Sequence, residues 1–319
     1  MTRNSCTTLC KTILLLTLLC LPAPCLAESL VAVILPGNLP RYQVAHEAFQ
    51  KIMDVGGKGK VKLIVKRPNP DKMSLSNDIR RLVGAGAKAI VTYGATATLV
   101  AQKVARGVPI IFADVCDPVS LGIVKSLQST GVETTGAACK TPMSDLLDAM
   151  LQVNKPKTIG ALYSRDEPAS VLQTDALAKL SSNHGINFVK AEAKTSQKAA
   201  SAMTSLAKNA DVIYISDCSS AQMNPSEVMQ AADNAKIPVI SQIPGLGAEG
   251  ALLTLEADPT EQGKLIAVHT LQIVSGQSAH QLPVRTPRKI NMVVNKKTAT
   301  KLGLTIPPEL LNSVGRVIE

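Results

Sequence analysis

The chain has no tryptophan, three phenylalanines and four tyrosines in 319 residues, so a cleft built on stacked aromatic rings has little to draw on. Histidine is scarce too. His46, His184, His269 and His280 fall in segments that read as helices or loops, none at a strand end, which leaves no indicated histidine base. Also missing are a phosphate-cradling G-x-x-x-x-G-K-[ST] run, an H-E-x-x-H pair, a G-x-S-x-G elbow and any C-x-x-C pair. GLGAEG (Gly245 to Gly250) has a dinucleotide-binding spacing, but it leads into another strand pattern and reads as a turn. These absences argue against an enzyme and imply no cofactor.

Charge excludes another class. The net charge is +10, yet the basic residues are scattered singly and in small groups (Lys58, Lys60, Lys62; Lys296, Lys297) without interleaved aromatics. That is a solvated basic surface and not a nucleic-acid footprint.

Residues 1–27 read as a cleavable signal peptide. Arg3 and Lys11 flank an apolar core, Ile13 to Leu21, too short to span a bilayer, and Cys25-Leu26-Ala27 supplies small residues for cleavage near Glu28. Cys20 and Cys25 offer a lipoprotein alternative, but Leu19 and Pro24 fit poorly where a small residue is needed. The expectation is a soluble extracytoplasmic, periplasmic protein. Loss of Arg3 and Lys11 lowers the net charge from +10 to +8. No later stretch is apolar enough to cross a membrane.

After Glu28, strand and helix patterns alternate. Leu30 to Pro36, Val61 to Arg67, Ala89 to Gly94, Pro109 to Asp114 and Thr135 to Cys139 read as strands. Between them Tyr42 to Asp54, Ser74 to Ala85, Thr96 to Arg106 and Ser120 to Ser126 read as helices. A helix from Met143 to Val153 then opens a second series, with strands at Thr158 to Ser164, Asn187 to Ala193, Val212 to Asp217, Pro238 to Gln242 and Ala251 to Glu256. Two βαβ series imply an α/β fold of two Rossmann-like lobes with parallel sheets. The expected division is 28–141 plus 254–283 for the first lobe and 142–253 plus 284–319 for the second, with crossings near Thr141, Thr254 and Pro283.

Several strand patterns end in small polar clusters: VPIIFADVCDP (Val108 to Pro118), KTIGALYSRDEPAS (Lys157 to Ser170) and ADVIYISDCSS (Ala210 to Ser220). In open parallel sheets ligands bind outside the carboxyl ends of the strands, beside helix N-termini. These clusters therefore mark a candidate cleft.

Cysteine adds a second question. After the leader only Cys116, Cys139 and Cys218 remain, each at a predicted strand end. Each alone reads as a small buried hydrophobe. Together they leave two functional readings: a Cys116–Cys139 disulfide with Cys218 unpaired, or a three-thiolate trap for a soft metal or metalloid. Of the aromatics, Tyr163 is the one expected to face the cleft, while Tyr93, Phe112 and Tyr214 read as core.

The runs IIFADVCDPVSLGIVKSL and AKIPVISQ and the tail TPRKINMVVNKKTATKLGLTIPPELL together resemble the ABC-transporter substrate-binding family related to tryptophan and tyrosine uptake. The resemblance runs from about Leu30 to the C-terminus. It implies the type I periplasmic binding architecture, two lobes joined by a hinge and closing on a small solute such as an amino acid. The implied partners are that solute and an inner-membrane ABC permease, or a sensor kinase that reads the loaded protein.

The resemblance and the strand-end pattern together give candidate ligand contacts, although at Cys116, Cys139 and Cys218 the family more often has Thr, Ser or Asn. In the first lobe these are Gly37 and Asn38, the GATAT loop with Gly94, Thr96 and Ala97, and Cys116 with Asp117. The loop suits a carboxylate held by helix N–H groups, or is a plain N-cap; Asp117 suits an ammonium, or caps a following helix. In the second lobe they are Tyr163, Ser164 and Ser170, then Asp217 and Cys218, and Asp258 near the hinge, where a helix-capping role is the other reading. Ser164, Arg165 and Asp166 depart from the family's Tyr-Asn-Pro pattern, and the scarcity of rings leaves a small or aliphatic solute as plausible as an aromatic one.

Overall fold

In the computed structural model, residues 28–139 and 141–319 are described; the signal-peptide expectation for 1–27 lies outside them. Two sheets form, each made mostly of parallel strands threaded by helices.

The first lobe contains β1 (Ser29–Ile34), α1 (Pro40–Gly56), β2 (Val61–Lys66), α2 (Lys72–Gly84), β3 (Ala89–Tyr93), α3 (Ala95–Val104), β4 (Ile110–Ala113) and β5 (Thr134–Gly136). Its sheet order is β2-β1-β3-β4-β5. Strands β3 and β4 are buried along their whole length, which is why they read as unbroken apolar runs.

The second lobe contains α4 (Met143–Val153), β6 (Thr158–Tyr163), α5 (Pro168–Asn183), β7 (Asn187–Glu192), α6 (Ser196–Leu206), β8 (Val212–Ile215), the short α7 (Ser219–Gln222), α8 (Pro225–Asn234), β9 (Val239–Ser241) and β10 (Leu253–Ala257). After α9 (Pro259–Val274) the chain returns to add β11 (Ile290–Asn295), α10 (Lys296–Lys301), α11 (Pro308–Ser313) and β12 (Arg316–Ile318). The order is β12-β11-β10-β9-β8-β6-β7, and β11 runs antiparallel to β10, an exception to the otherwise parallel pairing.

Both sheets reverse their order once. From β1 the chain steps outward to β2 and then back across to β3, and from β6 it steps to β7 and back to β8. The carboxyl ends of β1 and β3, and of β6 and β8, are thus topological switch points, where the connecting loops part and leave a crevice.

The lobes are joined by three crossings. The first follows β5. The second follows Ala257, because Thr254 lies inside β10 and pairs with Ser241 of β9. The third follows Arg285, since Val284 and Arg285 still donate to Leu127 and Gly136 on the first lobe. Helix α9 belongs with the first lobe: Ile266, Ala267 and Ile273 share a core with Tyr42, Ala45 and Phe49 of α1. A Cβ on Gly263 would fall on the Ala45 carbonyl, so the two helices approach at backbone distance there.

One expected helix does not form. Between Ser120 and Ser126 the chain makes turns instead: Gly122 has φ +69°, Ile123 donates to Pro118, and Lys125 is tied to Thr130. Among the described residues no helix is long and apolar enough to cross a membrane.

Candidate functional site

The two switch points face each other. Between them lies a cavity of about 20 Å³ lined by Pro36 after β1, Tyr93 and Gly94 at the end of β3, Glu167 after β6 and Asp217 after β8, with Tyr42, Thr96 and Ser219 among the other walls. That space accommodates a single water and no organic solute. Two larger spaces flank it. A polar mouth of about 550 Å³ is lined by Asp71, Thr96, Ser164, Glu167 and Ser219. An apolar chamber of about 450 Å³ is lined by Val119, Leu121, Leu127, Met143, Leu172 and Ala176. Ala169 belongs to both the cavity wall and the chamber wall.

Helix α3 starts at the cavity. Gly94 has φ +82°, a conformation that suits glycine, and no side chain caps the helix, so its first N–H groups have no side-chain acceptor. The Tyr42 hydroxyl packs on Gly94 where a Cβ would stand. Tyr42 and Tyr93 are 5.8 Å apart between ring centroids, and both face the cavity.

Charge is concentrated on the same spot. Arg41, in the first turn of α1, donates through Nε to Asp114, and through Nη2 to Asp217 at 2.5 Å and to the Tyr42 hydroxyl at 3.1 Å. Its Nη1 has no partner among the described residues. Burial disfavours the guanidinium charge, but Asp217, Tyr42 and Asp114 outweigh that and hold Arg41 charged. Asp114 sits at φ +56°, and its backbone N–H donates to Gln262 of α9 at 2.7 Å. The Asp217 N–H donates to Gln173 at 2.7 Å. Glu167 accepts the Ser219 N–H at 2.9 Å and the Ser219 hydroxyl at 2.7 Å. Burial pushes its carboxyl up to about 7; Asp217 adds to the rise and the Ser219 bonds oppose it.

Of the positions named from sequence, Gly94, Thr96, Ala97 and Asp217 line the cavity, and Ser164 lines the mouth. Cys116 and Asp117 line the apolar chamber, and Asp117 accepts from the Ser120 N–H at 3.0 Å. Gly37 abuts Pro70, and Asn38 accepts from Gln43 at the surface. Ser170 is buried and supports the Ser164 loop: its hydroxyl accepts the Ser164 N–H at 2.9 Å and shares a 2.6 Å bond with Ser216. Tyr163 is buried with Lys190 over its ring, so the tyrosines facing the cleft are Tyr42 and Tyr93 instead. Asp258 caps α9 by accepting from Thr260 at 2.8 Å.

The three-thiolate reading is overturned. Cys116 and Cys139 are bonded as a disulfide, so neither sulfur is a thiolate donor, although the Asp114 carboxylate lies close to both. Cys218 is buried in the second lobe's core beside Ala221 and Val228, and burial raises its thiol to about 12.

Residues 32–318 match the family described as ABC transporter substrate binding protein. The chain belongs to that family. Its members bind solutes and are not enzymes, in keeping with the absence of an acid-base motif. Over 205 residues the chain is 27% identical to a protein named tyrosine-binding protein from Clostridioides difficile (strain R20291), a stretch covering 64% of this chain and 59% of that protein. The solved structure of an ABC domain from Streptococcus pneumonia in complex with L-Trp superposes with a TM-score of 0.84 at 23% identity, covering 90% of this chain and all of that one. A solute binding protein from Bacillus halodurans with bound myo-inositol gives a TM-score of 0.62 at 13% identity over 88% of this chain and 99% of the other. The fold is the type I periplasmic binding arrangement of two α/β lobes.

The sequence reading missed Arg41, Tyr42 and Asp114. The signal for Arg41 and Tyr42 is Pro40, which fixes where α1 begins and thus which two side chains stand at the cleft edge.

Proposed function

We propose that this protein is the extracytoplasmic receptor of an ABC importer and encloses an amino acid between its lobes by hinge closure. The observation that carries the reading is the pair of opposed walls at the switch points. One wall is the uncapped start of α3 with Thr96, suited to a carboxylate. The other carries Asp217 and Glu167, suited to an ammonium. A zwitterion matches both.

The tyrosine-binding relative and the L-Trp complex favour an aromatic side chain. Tyr42 and Tyr93 in the cavity wall, and the apolar chamber reached past Ala169, give such a side chain apolar contacts. Because the cavity admits only a water-sized occupant in this conformer, the lobes must part for a solute to enter. The disulfide fits an oxidising compartment. Handover of the solute to an inner-membrane permease completes the reading.

Isothermal titration calorimetry with the L-amino acids tests it, with tyramine and 3-(4-hydroxyphenyl)propanoate as probes of the two ends. Binding of L-tyrosine or L-tryptophan, weakened when either the carboxylate or the ammonium is missing, is the expected result. No heat with any amino acid, or equal affinity for tyramine and tyrosine, would sink the reading.

A further inference from the structure

Arg41 stands in the first lobe and Asp217 in the second, and their 2.5 Å ion pair spans the cleft with side chains only 3% and 14% exposed. Each partner is fixed to its own lobe. Asp114 grips the Arg41 Nε from the first-lobe side, and Gln262 of α9 grips the Asp114 N–H in turn. On the other side Gln173 of α5 holds the Asp217 N–H, and Gln222 of α7 donates to the Asp217 carboxylate at 3.1 Å. When the lobes part, the Arg41–Asp114 pair travels with one and Asp217 with the other. The contact that must break is Arg41 to Asp217.

The pair stands beside the cavity between the switch points, and the space left there is water-sized, too small for an organic solute while the pair is made. A guanidinium suits this task better than an ammonium, because its planar fork holds Asp114 through one nitrogen and Asp217 through another.

We infer that Arg41 is an interlobe latch, closing the solute-free protein across Asp217 so that solute enters only after this ion pair releases. The inference rests on the hinged-lobe reading above but not on the identity of the solute. Its kinetic consequence is that opening precedes binding, so the observed association rate levels off at high solute concentration and apparent affinity is reduced by the closed fraction.

The test is the distance between spin labels at Lys72→Cys and Lys194→Cys, exposed positions that face each other across the polar mouth, one on each lobe. It is measured in otherwise unaltered protein, in Asp217→Asn, and in an Arg41→Gln, Asp114→Asn double variant that leaves no lone buried charge in the first lobe. Each is measured with and without L-tyrosine and L-tryptophan. The expected result is a short distance in the solute-free unaltered protein and a main peak moved to longer distance in both variants. A long solute-free distance that shortens with an amino acid overturns the latch while the hinge stands. A short distance in every variant and condition overturns both.

Discussion

Glu167 takes both hydrogens that Ser219 offers, the N–H at 2.9 Å and the hydroxyl at 2.7 Å, and so ties the loop before α5 to the start of α7. The same carboxyl lines the cavity and is pushed up to about 7 by burial and, to a lesser extent, by Asp217. A carboxyl that holds its proton more tightly folded than unfolded contributes stability that is fully present below its unfolded value and is lost as pH rises through its folded value. Stability of the solute-free protein is therefore expected to fall between pH 4.5 and 7, with a contribution from this group of about 3 kcal/mol. Glu167→Gln should flatten that slope in urea titrations at a series of pH values; an unchanged slope refutes the assignment.

Solute binding should run the opposite way with pH. If the solute ammonium pairs with ionised Glu167, binding releases a proton below pH 7, and affinity for a zwitterionic amino acid rises through that range. Calorimetry in buffers of different ionisation heat counts the proton directly. Zero protons released at pH 6 would place the ammonium elsewhere.

The Cys116–Cys139 bridge closes a loop over a sequence separation of 23. On the chain-entropy account a loop of that size contributes about 3 kcal/mol. Replacing both cysteines by serine should lower the unfolding free energy by that order, and reductant should destabilise the unaltered protein alike while leaving the double variant unaffected. Cys218 should resist alkylation until the chain unfolds, because it is buried with its thiol at about 12.

Gly94→Ala should harm the site more than the fold. The new methyl would meet the Tyr42 hydroxyl, and the backbone at φ +82°, ψ 160° disfavours any L side chain by about 1–3 kcal/mol. Tyr42 must turn away, taking with it a cavity wall and an acceptor of Arg41. Solute affinity is expected to drop at least about tenfold, and a variant that binds as well as the unaltered protein would show that Tyr42 does not face the solute.

How far the sequence revealed the site depended on the distance between partners. The GATAT loop and the strand ending at Asp217 were legible because their signals are local: a glycine before a helix, and an apolar run stopping at an acid. Arg41 was not, because a charged residue in the first turn of an amphipathic helix ordinarily points to water. Its burial depends on Asp217, 176 positions away, which only the meeting of two sheets brings near. The cysteines sat between these cases. Their types allowed either a bridge or a metal trap, and the pairing of β4 with β5 decides it by setting the ends of those strands side by side. The segment from Ser120 to Ser126 misled because apolar spacing alone does not register that Gly122 adopts a left-handed turn.

Helix α9 covers the face of α1 that carries Ala45 and Phe49, yet the second lobe's α4 to β10 are threaded between these two helices in the chain. A polypeptide made from its N-terminus has therefore produced most of the second lobe before the first can close its core. Until Val274 has emerged, Phe49 and its neighbours lack their lid of Ile266 and Ile273. The order of synthesis thus leaves the first lobe unfinished for longest, and the closing of its core waits for a helix made after nearly all of the second lobe.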